Sequence, residues 1–294
     1  METLIGLLIQ GLATGSLYAL LAVGFGLIYN ATQVFHIAHG ATFVIGTYFF
    51  YTSYVIFQSN IVVSFVIALL GSAIYGVALE RFIYRPLRNK GASIVMTLIA
   101  SLGILILTEN LIGLIFGPDT YSIFSGPLPT INIGNNFMVT ITDILAIVIA
   151  VIVFIILYFV LTKSKIGKMM RAISDNPEMA TIVGMNTNKI YTIVFAIGSA
   201  LVALAAPLQA MAIGVRPDQG FSIMFVSVIA VIIGGIGYLP GAALGALFLG
   251  IIESLSLWVL PSSWKTTVVF IVMLLFLVIK PQGFFGSKIG TRRA

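Results

Sequence analysis

The sequence contains no cysteine and very few charged residues, and both shortages limit what the chain can be. Without cysteine, a disulfide framework and a thiolate metal site are excluded. Charged residues make up 8% of the 294 residues, whereas an ordinary soluble domain carries about 25%. Hydrophobic residues make up 60%, which is more apolar surface than a soluble fold of this size could bury. We therefore expect a single membrane domain over residues 1–294.

Recognisable catalytic motifs are also lacking. Gly167-Lys168 is followed by Met169, without the glycine spacing or the Ser/Thr of a nucleotide-binding loop. The sequence has no His-Glu-x-x-His, no Gly-x-Ser-x-Gly and no clustered carboxylate pair. His36 and His39 alone leave a metal site incomplete. We expect no enzyme activity, no metal and no cofactor in this chain. Any energy from ATP would have to come from another chain, which would bind the ATP and its Mg²⁺.

Long apolar segments recur along the whole chain. A bilayer core needs about 20 apolar residues in a helix, and this length predicts an all-α bundle of eight or nine spans. The start of the sequence lacks the basic residues and cleavage site of a signal peptide, so the first segment is expected to remain as a helix. A glycine-rich run near 234–241 makes 222–260 either two spans or a broken, re-entrant hairpin. The predicted spans are 4–29, 36–57, 61–80, 93–116, 141–162, 190–212, 222–236, 241–260 and 264–280.

Small residues four positions apart occur inside several of these spans. Such pairs let helix backbones approach closely in lipid, and we predict helix packing at each of them. The pairs are Gly11/Gly15, Ser72/Gly76 and Gly241/Gly245.

The positions of the basic residues predict the orientation of the bundle. Thirteen of the fifteen Lys and Arg residues lie in 81–90, in 163–189 or in the tail from Lys280. Short basic loops remain on the cytoplasmic side, which predicts an external N-terminus and a cytoplasmic C-terminus. Because these bases adjoin apolar spans, the net charge of +6 indicates a lipid bilayer and not nucleic acid as the partner. The loop 117–140 has no Lys or Arg and is predicted to be irregular and external.

The cytoplasmic stretch 163–189 carries local signals for a short helix over 177–183. Asn176 suits the N-cap, Pro177 the first helical position, Glu178 the positive helix end and Gly184 the stop. A helix this short needs something to pack against. The residues leave two interpretations open: an interfacial helix lying on lipid, or a docking element for a cytoplasmic partner.

Several polar residues within or beside the spans are candidates for lining a solute pathway. They are Asn30, His39, Thr97, Ser101 and Glu109. Ionisable residues in membrane are costly and often functional, which makes Glu109 and Glu253 noteworthy. Interhelical hydrogen bonding is the structural alternative for all of them.

At this point the sequence resembles the permease subunits of branched-chain amino acid ABC importers, whose relatives carry urea or short amides. The matching blocks are spread over nearly the whole chain. The block Phe35-His36-Ile37-Ala38-His39-Gly40 differs from the family, which more often has Asn-Phe-Ala-His-Gly at this place. The blocks are Gly15-Ser16-Leu17-Tyr18-Ala19-Leu20, Phe35–Gly40, Gly167–Ala180 through Gly184, Gly234–Ala242 and Lys280–Gly286.

This resemblance implies that 177–183 is the coupling helix that docks on an ATPase subunit. The positions carried over are Asn176, Pro177, Glu178, Ala180 and Gly184, with Lys168 and Arg171 as electrostatic support. It further implies import of amino acids across a prokaryotic cell membrane with an external solute-binding protein, two ATPase subunits and a second permease in a heterodimer. Lacking a long N-terminal extension, the chain resembles the shorter of the two permease types.

Two other classes of protein remain open at this stage. One is a channel or secondary carrier that moves a small polar solute such as urea without ATP, with Glu109 as its ionisable residue. The other is a membrane enzyme that holds a metal or haem on His36 and His39.

Overall fold

The computed structural model describes residues 2–124, 126, 128–133 and 137–286, and most of them are helical. Lys288, Arg292 and Arg293 of the basic tail lie outside the described residues. The helices are α1 (Glu2–Thr32), α2 (His39–Tyr51), α3 (Ile61–Leu79), α4 (Arg85–Asn89), α5 (Ile94–Phe116), α6 (Ile141–Lys163), α7 (Lys165–Asp175), α8 (Pro177–Ile182), α9 (Thr187–Ile213), α10 (Gln219–Gly234), α11 (Leu239–Ser256) and α12 (Lys265–Ile279).

Two π-helical turns interrupt or extend these helices. Thr52–Ile56 continues α2, and Glu80–Tyr84 joins α3 to α4. A 3₁₀ turn, Ser262–Trp264, precedes α12.

Among the described residues, seven helical segments are long and apolar enough to cross a membrane. α10 is apolar but shorter than these seven segments. α2 reaches the length of the shortest of them only when its π turn, Thr52–Ile56, is included. The prediction of an all-α polytopic membrane bundle is thus confirmed. The segments are Thr3–Thr32, Ile61–Asn89, Ile94–Phe116, Ile141–Lys163, Thr187–Ile213, Leu239–Ser256 and Ser262–Ile279.

The described chain divides into two compact units, each built from separate parts of the sequence. The first comprises residues up to Gly26, the stretch Phe124–Ala150 and the chain from Phe225 onward. The second comprises Leu27–Ile123 and Val151–Met224. The description of the chain as one domain remains a prediction.

In the first unit, α1 packs closely on α11 through glycines. A Cβ on Gly15 would lie 2.8 Å from the Cα of Leu247, and one on Gly11 would lie 2.8 Å from the Cα of Ile251. The predicted close packing at Gly11/Gly15 is confirmed, because side chains at these positions would push the two backbones apart.

The first unit also contains the connection between α10, from Phe225 onward, and α11. Whether 222–260 forms two spans or a re-entrant hairpin remains a prediction. Gly235 and Gly237 adopt positive φ angles of 105° and 96° in the connection, a conformation that glycine adopts without strain. Gly241 and Gly245 face the backbone of α10 at Gly234, which confirms the third small-residue pair. The segment after α12 closes the end of α10, since the Phe284 N–H donates to the Ile233 carbonyl at 2.7 Å.

In the second unit, α9 is mostly buried and packs against α2 and α3. A Cβ on Gly76 would overlap the Ser199 hydroxyl, and the Ser72 hydroxyl donates to the Thr42 carbonyl at 3.4 Å. The pair Ser72/Gly76 therefore also brings helices together, as predicted.

Three local expectations need correction. The loop 117–140 is not wholly irregular: β1 (Thr130–Ile133) and β2 (Phe137–Thr140) pair antiparallel, with Thr130 opposite Thr140. Residues with β-branched side chains are common in both strands and favour this pairing. The second predicted span begins at His39 and not at 36. Gln33 takes a positive φ of 55° and ends α1, and the non-helical stretch that follows extends to residue 38. α8 ends at Ile182, one residue earlier than predicted, and α7 precedes it without having been predicted.

Candidate functional site

The stretch between α6 and α9 forms two short helices that follow each other closely. Ser164 caps α7, since its hydroxyl accepts from the Gly167 N–H at 3.0 Å. A Cβ on Gly167 would overlap the carbonyl oxygens of Val160 and Leu161 at the end of α6. Arg171 donates to the Leu161 carbonyl. Gly167 and Arg171 therefore fold α7 back onto the end of α6, while Lys168 is exposed.

The ends of α8 match the sequence signals in detail. The Asn176 side chain accepts from the Met179 N–H at 2.9 Å, and Pro177 opens the helix. At the other end Gly184 has a φ of 83°, and the Met185 N–H donates to the Ala180 carbonyl at 3.0 Å. These contacts give a rigid, self-capped turn of helix.

One face of α8 and its end is apolar and exposed. Met179, Ile182 and Val183 are 60%, 78% and 74% exposed, and Glu178 and Pro177 are also exposed. Ala180 is buried, at 3%; its small side chain allows α8 to sit close to the rest of the second unit. Within this unit, Ser174 at the end of α7 donates to the Asn30 carbonyl at 2.8 Å.

The break between α1 and α2 holds a buried polar cluster. His36 Nδ1 lies 2.8 Å from the Tyr84 hydroxyl, which lies 2.7 Å from the Ser101 hydroxyl. The Ser101 oxygen accepts from the Ala38 N–H at 2.9 Å. The His39 ring is also buried, with its centroid 5.7 Å from that of His36. Backbone groups freed by the break are thereby satisfied, as buried polar groups require.

The five predicted pathway residues do not form one group. Ser101 lies at the helix break that precedes His39. Thr97 donates to the Ser93 carbonyl of its own helix at 3.0 Å, and Asn30 offers its carbonyl to α7. Glu109 accepts from the Phe221 N–H at 3.2 Å at the start of α10. Their roles in a pathway remain predictions.

A cavity of about 310 Å³ lies at the connection between α9 and α10, and sequence reasoning missed it. Tyr121 and Val215 exchange backbone hydrogen bonds of 3.0 and 2.8 Å beside it. This contact brings parts of the segments 117–140 and 213–221 together. Its lining mixes polar and aliphatic side chains: Thr120, Gln209, Ile213, Arg216, Gln219, Ser222 and Ile223. Arg216 lies outside the three basic segments, and this isolated charge was the one sequence feature that could have pointed to the cavity.

The described residues contain no group of three or more His, Cys, Asp or Glu side chains that could hold a metal ion. His36 and His39 therefore have no third ligand in that part of the chain.

The family model described as "Branched-chain amino acid transport system / permease component" matches residues 7–278. The chain is similar to the high-affinity branched-chain amino acid transport system permease protein LivH of Escherichia coli K12, with 31% identity over 94% of each chain. It is 30% identical to the corresponding protein BraD of Pseudomonas aeruginosa, over 95% of this chain and 94% of that one. A probable branched-chain amino acid transport permease protein LivH of Methanocaldococcus jannaschii is 26% identical, over 92% and 89%.

Among solved structures, the fold resembles a chain of PsaBC from Streptococcus pneumoniae in complex with Fab. The TM-score is 0.54 at 14% identity, over 93% of this chain and 91% of that one. At this identity the likeness concerns the fold alone. The family match covers nearly the whole chain, and with its membrane-spanning helices this protein belongs to the permease components of branched-chain amino acid transport systems.

Proposed function

We propose that this chain moves branched-chain amino acids into the cytoplasm as the permease subunit of an ABC importer, driven by separate ATPase subunits. The observation that carries the proposal is α8. It is capped at both ends and presents exposed apolar side chains at Met179, Ile182 and Val183. A rigid helix of this kind gains stability when a groove in a partner covers its apolar side chains.

The proposed assembly follows the relatives named above and the resemblance of the sequence. A second permease completes a heterodimer, two ATPase subunits with ATP and Mg²⁺ bind the cytoplasmic side, and a solute-binding protein delivers substrate outside. In the proposed orientation 163–189 and the C-terminus lie in the cytoplasm of a prokaryote, and the N-terminus lies outside. In this proposal ATP hydrolysis takes place on the ATPase subunits, and this chain needs neither a catalytic group nor a cofactor.

In this mechanism α7 and α8 act as a lever. ATP-driven closure of the ATPase subunits displaces α8, and α7 and α9 carry the displacement because they flank it directly in sequence. Exposed Lys168 and Glu178 offer charges to the partner. Arg171 instead holds α7 to the end of α6, so its contribution is to the rigidity of the lever.

The test is to weaken α8 and to measure binding of the ATPase in detergent, where no bilayer is present. Each glycine in a helix costs about 1 kcal/mol relative to alanine, so Pro177→Gly combined with Glu178→Gly should unfold this short helix. Ile182→Asp leaves the caps in place and changes only the apolar face. We expect both variants to lose most of the co-purifying ATPase, and ATP-dependent uptake of leucine by proteoliposomes to fall with it.

The matched control is Val259→Asp, which alters another side chain that is 85% exposed, at the connection between α11 and α12. It should retain the ATPase. Unchanged ATPase binding in the α8 variants would instead favour an interfacial helix on lipid. Uptake by the purified chain without ATPase would favour the carrier alternative, with Glu109 as its ionisable residue.

A further inference from the structure

A buried carboxylate lies where α3 ends, and two arginines neutralise it. Glu80 is 0% exposed; its carboxylate accepts from Arg88 Nη2 at 2.8 Å, and Arg85 Nε is 3.7 Å away. A carboxylate removed from water in this way is costly unless it is paired and hydrogen-bonded. The two arginines are therefore fixed in place beside Glu80.

The same two arginines also bind the first turns of α9. Arg88 Nη2 donates to the Asn188 side-chain oxygen at 2.9 Å, and its guanidinium lies 4.4 Å from the centroid of the Tyr191 ring. Arg85 donates to the Thr192 hydroxyl at 2.7 Å. Only four residues, 183–186, separate α8 from α9, so this attachment holds the element that directly continues α8.

Glu80 is the first residue of the π turn Glu80–Tyr84, and Tyr84 is the last. The Arg85 N–H donates to the Glu80 carbonyl, five residues back, which is the π pattern. Single π turns are rare in proteins, and those that occur are often found at functional sites. The two ends of the turn serve different contacts: Glu80 faces the arginines, and Tyr84 bonds to His36 and Ser101 at the break between α1 and α2.

We infer that the π turn Glu80–Tyr84 transmits displacement of α8 and α9 to the break between α1 and α2. The route, called the polar chain, has two parts that the backbone of the π turn joins. Asn188, Arg88 and Glu80 form the part next to α9, and Tyr84, His36 and Ser101 form the part at the helix break. Glu80, Tyr84, His36 and Ser101 are positioning residues. Asn188 with Arg88 is the attachment of the polar chain to α9, beside the bond from Arg85 to Thr192. This inference rests on the proposed role of α8 as the coupling helix.

The geometry favours transmission over simple stabilisation for a specific reason. The close packing of α3 against α9 is already provided by Gly76, which contacts Ser199 farther along both helices. The polar chain adds directional hydrogen bonds at both ends of the π turn, to α9 at one end and to the helix break at the other. At that break the backbone can move without breaking an α-helical ladder.

The experiment uses the reconstituted complex with ATPase, second permease and solute-binding protein, and it measures radiolabelled leucine taken up per ATP hydrolysed. Asn188→Ala removes the side-chain acceptor that α9 offers to Arg88 but leaves the Glu80–Arg88 ion pair intact. We expect the ATPase to co-purify normally while uptake per ATP falls by about threefold or more. Asn188→Asp retains an acceptor oxygen and should restore the ratio.

Tyr84→Phe tests the other end of the polar chain, and Ser101→Ala replaces it if that variant does not assemble. The double variant combines Asn188→Ala with Tyr84→Phe. Because both ends belong to one route, it should lose no more uptake per ATP than the more severe of the two single variants. Thr162→Ala is the control, since among the described residues the Thr162 hydroxyl bonds only to the Tyr158 carbonyl of its own helix. Its uptake per ATP should equal that of the wild type.

Three results would overturn the inference. The first is a wild-type ratio in Asn188→Ala, and the second is a loss of uptake and ATP hydrolysis in step, which would mean a purely structural role. The third is a double variant whose loss is the product of the two single losses. Failure of the wild-type complex to take up leucine with ATP would identify the proposed function itself as the error.

Discussion

Two helix pairs, α3–α9 in the second unit and α1–α11 in the first, are each joined by a glycine contact and a buried carboxylate. In α3–α9 the carboxylate is Glu80, paired with Arg88 at 2.8 Å and Arg85 at 3.7 Å. In α1–α11 it is Glu253, which accepts from the Tyr18 hydroxyl at 2.9 Å, while Lys265 Nζ lies 3.9 Å away. The first joint contains a close ion pair, whereas the second contains mainly a hydrogen bond.

This difference bears on what each joint can do. The α3–α9 joint contains two part-buried cations that share one buried anion, so loss of Glu80 leaves both arginines without their carboxylate. The α1–α11 joint relies on direct backbone contact, with Gly15 facing Leu247, and its carboxylate is largely satisfied by a neutral hydroxyl. The first should therefore respond most to loss of charge, and the second most to added volume.

The largest effect is expected at Glu80. Glu80→Ala leaves two part-buried guanidinium groups without their carboxylate, and breaking a buried ion pair in this way costs about 3–5 kcal/mol. We expect a strong fall in the thermal unfolding midpoint of the purified protein. The matched control, Asp119→Ala, removes an exposed carboxylate and should stay within about 0.5 kcal/mol of the wild type. Equal midpoints for the two variants would show that Glu80 does not hold the α3–α9 joint.

Much of the fold could be predicted because the relevant signals are local. Apolar length gave the spans, and the caps around 177–183 gave α8 to within one residue. Small residues four positions apart gave the close helix contacts. Each of these properties depends on a few neighbouring residues, and a single sequence contains them.

Other features depend on departures from ideal helices and could not be predicted in the same way. In a continuous α-helix Glu80 and Arg88 would be about 12 Å apart along the axis, so spacing alone did not suggest a pair; the π turn Glu80–Tyr84 changes their separation. The gap between the predicted spans 4–29 and 36–57 locates the break between α1 and α2 to within three residues. The hydrogen bond from the Ala38 N–H to the Ser101 hydroxyl, which joins the break to α5, is not visible in the spacing. α7 is not among the predicted helices, although Ser164 can cap it and the apolar residues Ile166, Met170 and Ile173 have helical spacing. The overall polarity of 163–176 obscures this spacing.

A moderate effect is expected from added volume in the α1–α11 joint. Gly15→Ala would place a Cβ 2.8 Å from the Leu247 Cα and 3.1 Å from its carbonyl oxygen. Backbone atoms cannot rotate away, so we expect a loss of about 1–3 kcal/mol from overpacking, read as a lower unfolding midpoint.

The control for this substitution is Gly103→Ala in α5, where the added methyl group would have no atom of another described segment within 4 Å. It should be neutral or slightly stabilising, since alanine favours a helix by about 1 kcal/mol over glycine. If Gly15→Ala behaved like Gly103→Ala, the α1–α11 joint would be more adaptable than its backbone contact indicates.

The smallest effect is expected at Glu253, and it tests the contrast between the two joints directly. Glu253→Gln retains an acceptor for the Tyr18 hydroxyl and loses only the distant attraction to Lys265, which is itself about one-third exposed. An attraction of this kind contributes about 0–1 kcal/mol, so the unfolding midpoint should change little. Glu80→Gln, which removes the same charge from between two arginines, should lower it clearly more. Equal shifts in these two variants would mean that both carboxylates are held by charge, and the distinction between an ion-paired and a packed joint would be wrong.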